Sequence, residues 1–126
     1  MFSKYIRLKY ADRNGFVDCY TCNNERKHWK KMQAGHGIGG RTNAILFMEE
    51  IVKPQGIGCN VFGAGKYAIF TRKLIDELGL EKYDEIVRMS NTPIKYTQED
   101  YQRIYDEYKI KVDELLENVI SNEDIF

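Results

Sequence analysis

The stretch FVDCYTCNNERKHWKKMQAGH, residues 16–36, and the shorter PQGIGCN, residues 54–60, decide how this chain reads. Cys19 and Cys22 form a C-x2-C knuckle, and Cys59 follows far downstream. Three cysteines is an odd number, which argues against a disulfide framework and for a reducing compartment. In that setting a knuckle with a third cysteine reads first as metal ligation. The plain alternative is a set of buried, idle thiols.

On the N-terminal side of this stretch, Phe2, Tyr5, Ile6 and Leu8 fall near helical spacing and predict a short helix. Asp12-Arg13-Asn14-Gly15 is turn chemistry, and residues 16–20 read as a strand entering the knuckle. Downstream, GIGGRTN at 37–43 is a glycine-rich loop, and the apolar run Ala44-Ile45-Leu46-Phe47-Met48 predicts a strand. Residues 54–58 return the chain to Cys59. Tyr67, Phe70, Leu74, Ile75 and Leu78 then predict a helix stopped by Gly79. A second short helix covers 81–89 and ends before Pro93. Thr97 and Asp100 form a capping-box start. The stripe Tyr101, Ile104, Tyr105, Tyr108, Val112, Leu115, Leu116, Val119 predicts a long amphipathic helix of about five to six turns. That stripe reads as core packing, with a contact surface for a partner as the other reading.

The chain has 126 residues, 43% of them hydrophobic and 30% charged, which excludes a disordered or collagen-like polymer. No run approaches the length of apolar sequence that crosses a membrane. MFSKYIRLKY does not have the pattern of a secretory signal, so a cytoplasmic location is expected. The net charge of zero hides a split. Residues 1–46 hold nine Lys and Arg against three acids, and residues 47–126 hold ten against sixteen. A basic half attached to an acidic half suits a chain that offers one face to an anion.

His36 sits between glycines, where an imidazole is accessible for proton transfer or metal binding. Asn60 follows Cys59 at a predicted helix start, where it serves either as an N-cap or as an oxygen ligand for a hard cation. A strand pair carrying His36, then a helix opened by Asn60, is the order of a ββα-metal nuclease site. Arg26 through Lys31 is basic and contains His28 and Trp29. Lys30 and Lys31 are candidate phosphate contacts, while Trp29 reads as core in preference to a base-stacking ring. Arg41 in the glycine loop is a further phosphate candidate.

FSKYIRLKYADRNGFVDCYTC, HWKKMQAGH and PQ-x3-CN together resemble the phage NinG (Rap) recombination proteins, relatives of HNH nucleases and of recombination endonuclease VII. The resemblance runs from about Phe2 to Leu116. It implies an α+β fold, with a small zinc-knuckle ββα-metal core over 1–80 and a C-terminal helical extension over 81–126. It implies a metal-dependent endonuclease acting on branched DNA of the Holliday-junction or D-loop type, and working as a pair of chains. His36 would be the general base. Asn60 would ligate a catalytic Mg2+ or Mn2+, and Cys19, Cys22 and Cys59 would ligate a structural zinc.

This chain departs from the family pattern at three positions. Ile51 stands where an asparagine normally holds the histidine loop. Lys53 replaces a histidine and is left with a phosphate-binding role. Gly56 replaces the third zinc cysteine, so the fourth zinc position falls to water or to His28. Glu49 and Glu50 are close enough in sequence to complete a cation site. The alternative function is a catalytically degenerate DNA-binding or adaptor protein that keeps the fold.

Overall fold

The computed structural model describes residues 1–22, 24–38 and 44–119. Helix α1 spans Phe2–Lys9 and buries Phe2, Ile6 and Leu8. Asp12 closes the turn behind it, its Oδ1 accepting from the backbone N–H of Asn14 and Phe16 at 2.9 Å each. Gly15 takes φ +87°, a conformation that suits glycine.

Strands β1 (Phe16–Asp18) and β2 (Arg26–His28) form one antiparallel pair, with Phe16 opposite His28. Strands β3 (Gln33–His36) and β4 (Val52–Gln55) form a second, with Gln33 opposite Gln55 and His36 opposite Val52. Among the described residues three α-helices follow: α2 (Tyr67–Leu78), α3 (Leu80–Met89) and α4 (Gln98–Leu116). Gly79, at φ +87°, separates α2 from α3. The capping box at Thr97 and Asp100 forms in both directions and starts α4.

Two hydrophobic clusters share the same two helices. Phe2 and Ile6 of α1 and Tyr108 of α4 join Ile51, Val52, Phe70, Leu74 and Ile86. Leu8 and Val112 join Val17, Cys19, Trp29, Met32 and Cys59 around the knuckle. The spacing of four residues, 2 to 6 and 108 to 112, puts each pair on one helix face. Tyr108 packs edge-on against Phe2 at 4.9 Å and lies 5.1 Å from the Tyr5 ring. Its hydroxyl donates to Glu49 at 2.9 Å, and Lys9 and Lys111 flank that carboxylate at 3.5 and 3.6 Å. The stripe of α4 is therefore core in its second half, whereas Tyr101 and Tyr105 are exposed.

Two expectations need correction. Residues 44–47 are turn and Met48 is irregular; none is strand. Met48 N–H donates to Ile45 carbonyl at 3.1 Å, Ile45 is buried, and Phe47 packs edge-on against Phe2. Their apolar character serves side-chain packing rather than a ladder, because the strand opposite β3 is the less apolar Val52–Gln55. Asn60 does not open a long helix. It lies in a single π turn, Gly58–Phe62, after which Ala64, Gly65 and Lys66 take positive φ values of 54°, 86° and 52°. Three successive left-handed residues end any helix, so α2 begins only at Tyr67.

Candidate metal knuckle and histidine site

The sulfurs of Cys19, Cys22 and Cys59 lie within 4.8 Å of one another. Tetrahedral zinc with bonds of about 2.3 Å sets its sulfurs about 3.8 Å apart, so a small contraction accommodates the ion. These three residues could hold a metal ion such as zinc. Burial alone would raise the Cys19 thiol. Hydrogen bonds from the backbone of Gly56, Thr21 and Cys22 and from the Thr21 hydroxyl outweigh burial and draw it down to about 7. Cys59 is pushed up to about 11, by burial first and then by the neighbouring Cys19 and Cys22. Asn24 N–H points at Cys22 Sγ at 3.4 Å, and Glu25 carbonyl accepts from Cys19 N–H at 2.8 Å, closing the knuckle.

His28 is not part of this group. Its Nδ1 accepts from Lys30 N–H at 3.3 Å, and its ring stands edge-on to Phe16 at the end of β2. Gly56 sits directly over the Glu25 side chain, where a Cβ would land on the carboxylate.

His36 ends β3 and is half-buried. Its Nε2 lies 3.1 Å from the Leu46 carbonyl. A carbonyl only accepts, so Nε2 carries the hydrogen and Nδ1 keeps its lone pair in the neutral ring. Ile51 cannot bond through its side chain and is fully buried, yet its carbonyl accepts from Gly37 N–H at 2.8 Å. Backbone carbonyls at 46 and 51 thus hold the histidine segment.

Asn60 is placed elsewhere. Its amide N–H donates to Gln33 Oε1 at 2.6 Å. Gln33 and His36 are opposite ends of β3, about 10 Å apart along the strand and on alternate faces. His36 and Asn60 are therefore not brought together. Glu49 is committed to Tyr108, Lys9 and Lys111, and the three cysteines are the only cluster of three His, Cys, Asp or Glu donors among the described residues. No cluster of three such donors forms around Asn60 among the described residues.

Lys53 is withdrawn from phosphate binding. It is 6% exposed, and its ammonium is held by Tyr10 hydroxyl and Glu77 carboxylate, each at 3.1 Å. Burial pulls its pKa down, but these partners outweigh burial and raise it. Lys30 and Lys31 are exposed beside the buried Trp29, whose ring has the Arg7, Lys4 and Lys30 cations at 5.4 to 5.7 Å. Arg41 lies outside the described residues.

Gln55 went unread in the sequence. It is fully buried, and its amide donates to Thr21 Oγ1 at 3.0 Å and to Gly65 carbonyl at 2.9 Å. One side chain thereby joins the knuckle, the β3–β4 hairpin and the turn before α2. Its Oε1 lies over Gly35, where no Cβ fits. The Gly of AGH and the Gln of PQ are thus one contact.

The family model described as Bacteriophage Lambda NinG protein matches residues 1–118. The chain belongs to the NinG family. Membership makes it a phage recombination-related protein. Comparison with curated proteins and with solved structures returned no match. The NinG match spans α1 through α4 and both strand pairs, so the three cysteines and His36 all lie inside it. No helix among the described residues is long and apolar enough to cross a membrane.

Proposed function

We propose that this NinG-family chain is an endonuclease for branched DNA, with His36 as general base and zinc held by the three cysteines as a structural ion. The observation that carries this reading is the bond from His36 Nε2 to the Leu46 carbonyl. It fixes the ring and leaves Nδ1 as the basic nitrogen at the end of β3. Nδ1 takes a proton from water as the water oxygen bonds to phosphorus. The P–O bond to the leaving strand breaks, and that oxygen takes a proton from solvent. The strand order supports the reading too: β3, β4 and then α2, with Phe70 and Leu74 of α2 against Gly37, the residue after His36. Lys30 and Lys31 supply exposed charge for phosphates, and Phe62, 82% exposed two residues beyond Asn60, offers a ring to an unpaired base.

The second reading is a protein that binds branched DNA without cutting it. The separation of Asn60 from His36 favours it.

The test is cleavage of a labelled four-way junction and a matched linear duplex, with Mg2+ or Mn2+ in the buffer. Removing a general base costs about 10²–10⁴-fold in rate. Junction cleavage that falls by that factor in His36→Ala supports the nuclease. Junction binding with no cleavage by the wild type selects the second reading.

A further inference from the structure

We infer that the Glu25 carboxylate is the fourth ligand of the metal held by Cys19, Cys22 and Cys59, in place of the thiolate that Gly56 lacks. This rests on the zinc reading of the cysteines. Gly56-Ile57-Gly58-Cys59 keeps the spacing of the first knuckle, Cys19-Tyr20-Thr21-Cys22. Its backbone keeps a closed turn: Cys59 and Asn60 N–H both donate to Gly56 carbonyl, at 3.1 and 2.9 Å. The Gly56 backbone is among the groups that draw the Cys19 thiol down, which places position 56 beside that sulfur.

The space that a side chain at 56 would fill is taken by Glu25. A Cβ on Gly56 would meet both carboxylate oxygens, and one on Gly58 would come within 2.9 Å of Oε1. The Glu25 backbone is tied to Cys19 N–H, which anchors the residue at the knuckle. Its Oε2 is buried and makes no hydrogen bond; the Lys27 ammonium is 3.3 Å away but out of line for one. Lys27 balances its charge but gives it no hydrogen bond, so a cation bound directly to the carboxylate would hold it better than this ion pair does. Closed structural zinc sites are four-coordinate and accept carboxylate oxygen. The carboxylate now stands outside the group of three sulfurs, so ligation swings it from Lys27 toward them. His28 is less suited, since its Nδ1 already accepts from Lys30.

The test uses the purified full chain. Zinc is titrated against a chromophoric chelator, and cobalt replaces zinc for absorption spectra. Wild type is expected to hold one zinc per chain. Glu25→Gln keeps the shape and loses the charge, and should weaken zinc by at least the 10–100-fold typical of a lost supporting contact, with altered cobalt d–d bands. His28→Ala should change neither. Gly56→Cys combined with Glu25→Gln should restore the affinity and add thiolate-to-cobalt intensity. That double variant tests position 56 by itself: a spectrum still showing three thiolates means that this position does not face the metal, which overturns the inference. Zinc held equally by wild type and Glu25→Gln, with identical cobalt spectra, overturns the role of Glu25 alone. A wild type that holds no zinc overturns the cysteine reading along with it.

Discussion

Replacing Gly35 with alanine pushes a methyl group into the Gln55 side chain, which is fully buried. For Gln55 to move it must release Thr21 Oγ1 and the Gly65 carbonyl. A buried carbonyl left without its donor costs about 1–3 kcal/mol. Forcing an extra methyl into a filled core adds about 1–3 kcal/mol. We therefore expect Gly35→Ala to destabilise by roughly 3–4 kcal/mol. With an unfolding entropy near 2.1 cal/mol/K per residue over 126 residues, 3 kcal/mol lowers Tm by about 11 °C. Calorimetry or urea denaturation measures this. Gln55→Ala removes the obstacle, so in that background Gly35→Ala should cost less than about 1 kcal/mol, a coupling of about 2 kcal/mol. A Tm within about 2 °C of wild type for Gly35→Ala, or strictly additive variants, would refute the contact as the reason glycine sits there.

Burial raises the Glu49 carboxyl, but Tyr108, Lys111 and Lys9 outweigh it and hold its folded pKa below the ordinary 4.5. A depressed carboxylate contributes stability above its unfolded pKa and loses it as pH falls through the folded one. Thermal melts from pH 6 to pH 3 should therefore fall more steeply for wild type than for Glu49→Gln; parallel curves would discount the Tyr108–Glu49 contact. Phe70 is fully buried between α2 and the β3–β4 hairpin, so Phe70→Ala should cost about 3–5 kcal/mol in urea denaturation. If Lys30 and Lys31 each meet a phosphate, replacing both by alanine should flatten the slope of log K against log salt by about 1.8 in junction binding. An unchanged slope would move the DNA contact off this face.

Local patterns in the sequence reached far. The apolar spacing of α2 and α4, Gly79 as the break after α2, the Thr97–Asp100 capping box and the Asp12–Gly15 turn all depend on neighbours within four residues or so, and all formed where the pattern placed them. The cysteine spacing predicted a thiol cluster, and the three sulfurs do meet. The phage-recombination family was legible in the same motifs.

What tertiary structure decided is whatever depends on residues far apart in the chain. Lys53 looked like a free cation and is buried between Tyr10 and Glu77, 43 residues before it and 24 after it. Ile45 and Phe47 looked like a strand, but their side chains go into the core, Phe47 against Phe2, and the chain there turns on its own Met48–Ile45 hydrogen bond. His36 and Asn60 looked like one site because a helix was expected to open at Asn60. Three left-handed residues delay that helix, and Gln33 holds the Asn60 amide at the other end of β3. Gln55 showed only as part of the PQ motif, with no role, and Glu25 not at all, since a polar side chain in sequence does not say whether it faces water or a buried partner. Only the folded chain set Gln55 against Gly35, and Glu25 over the gap at Gly56.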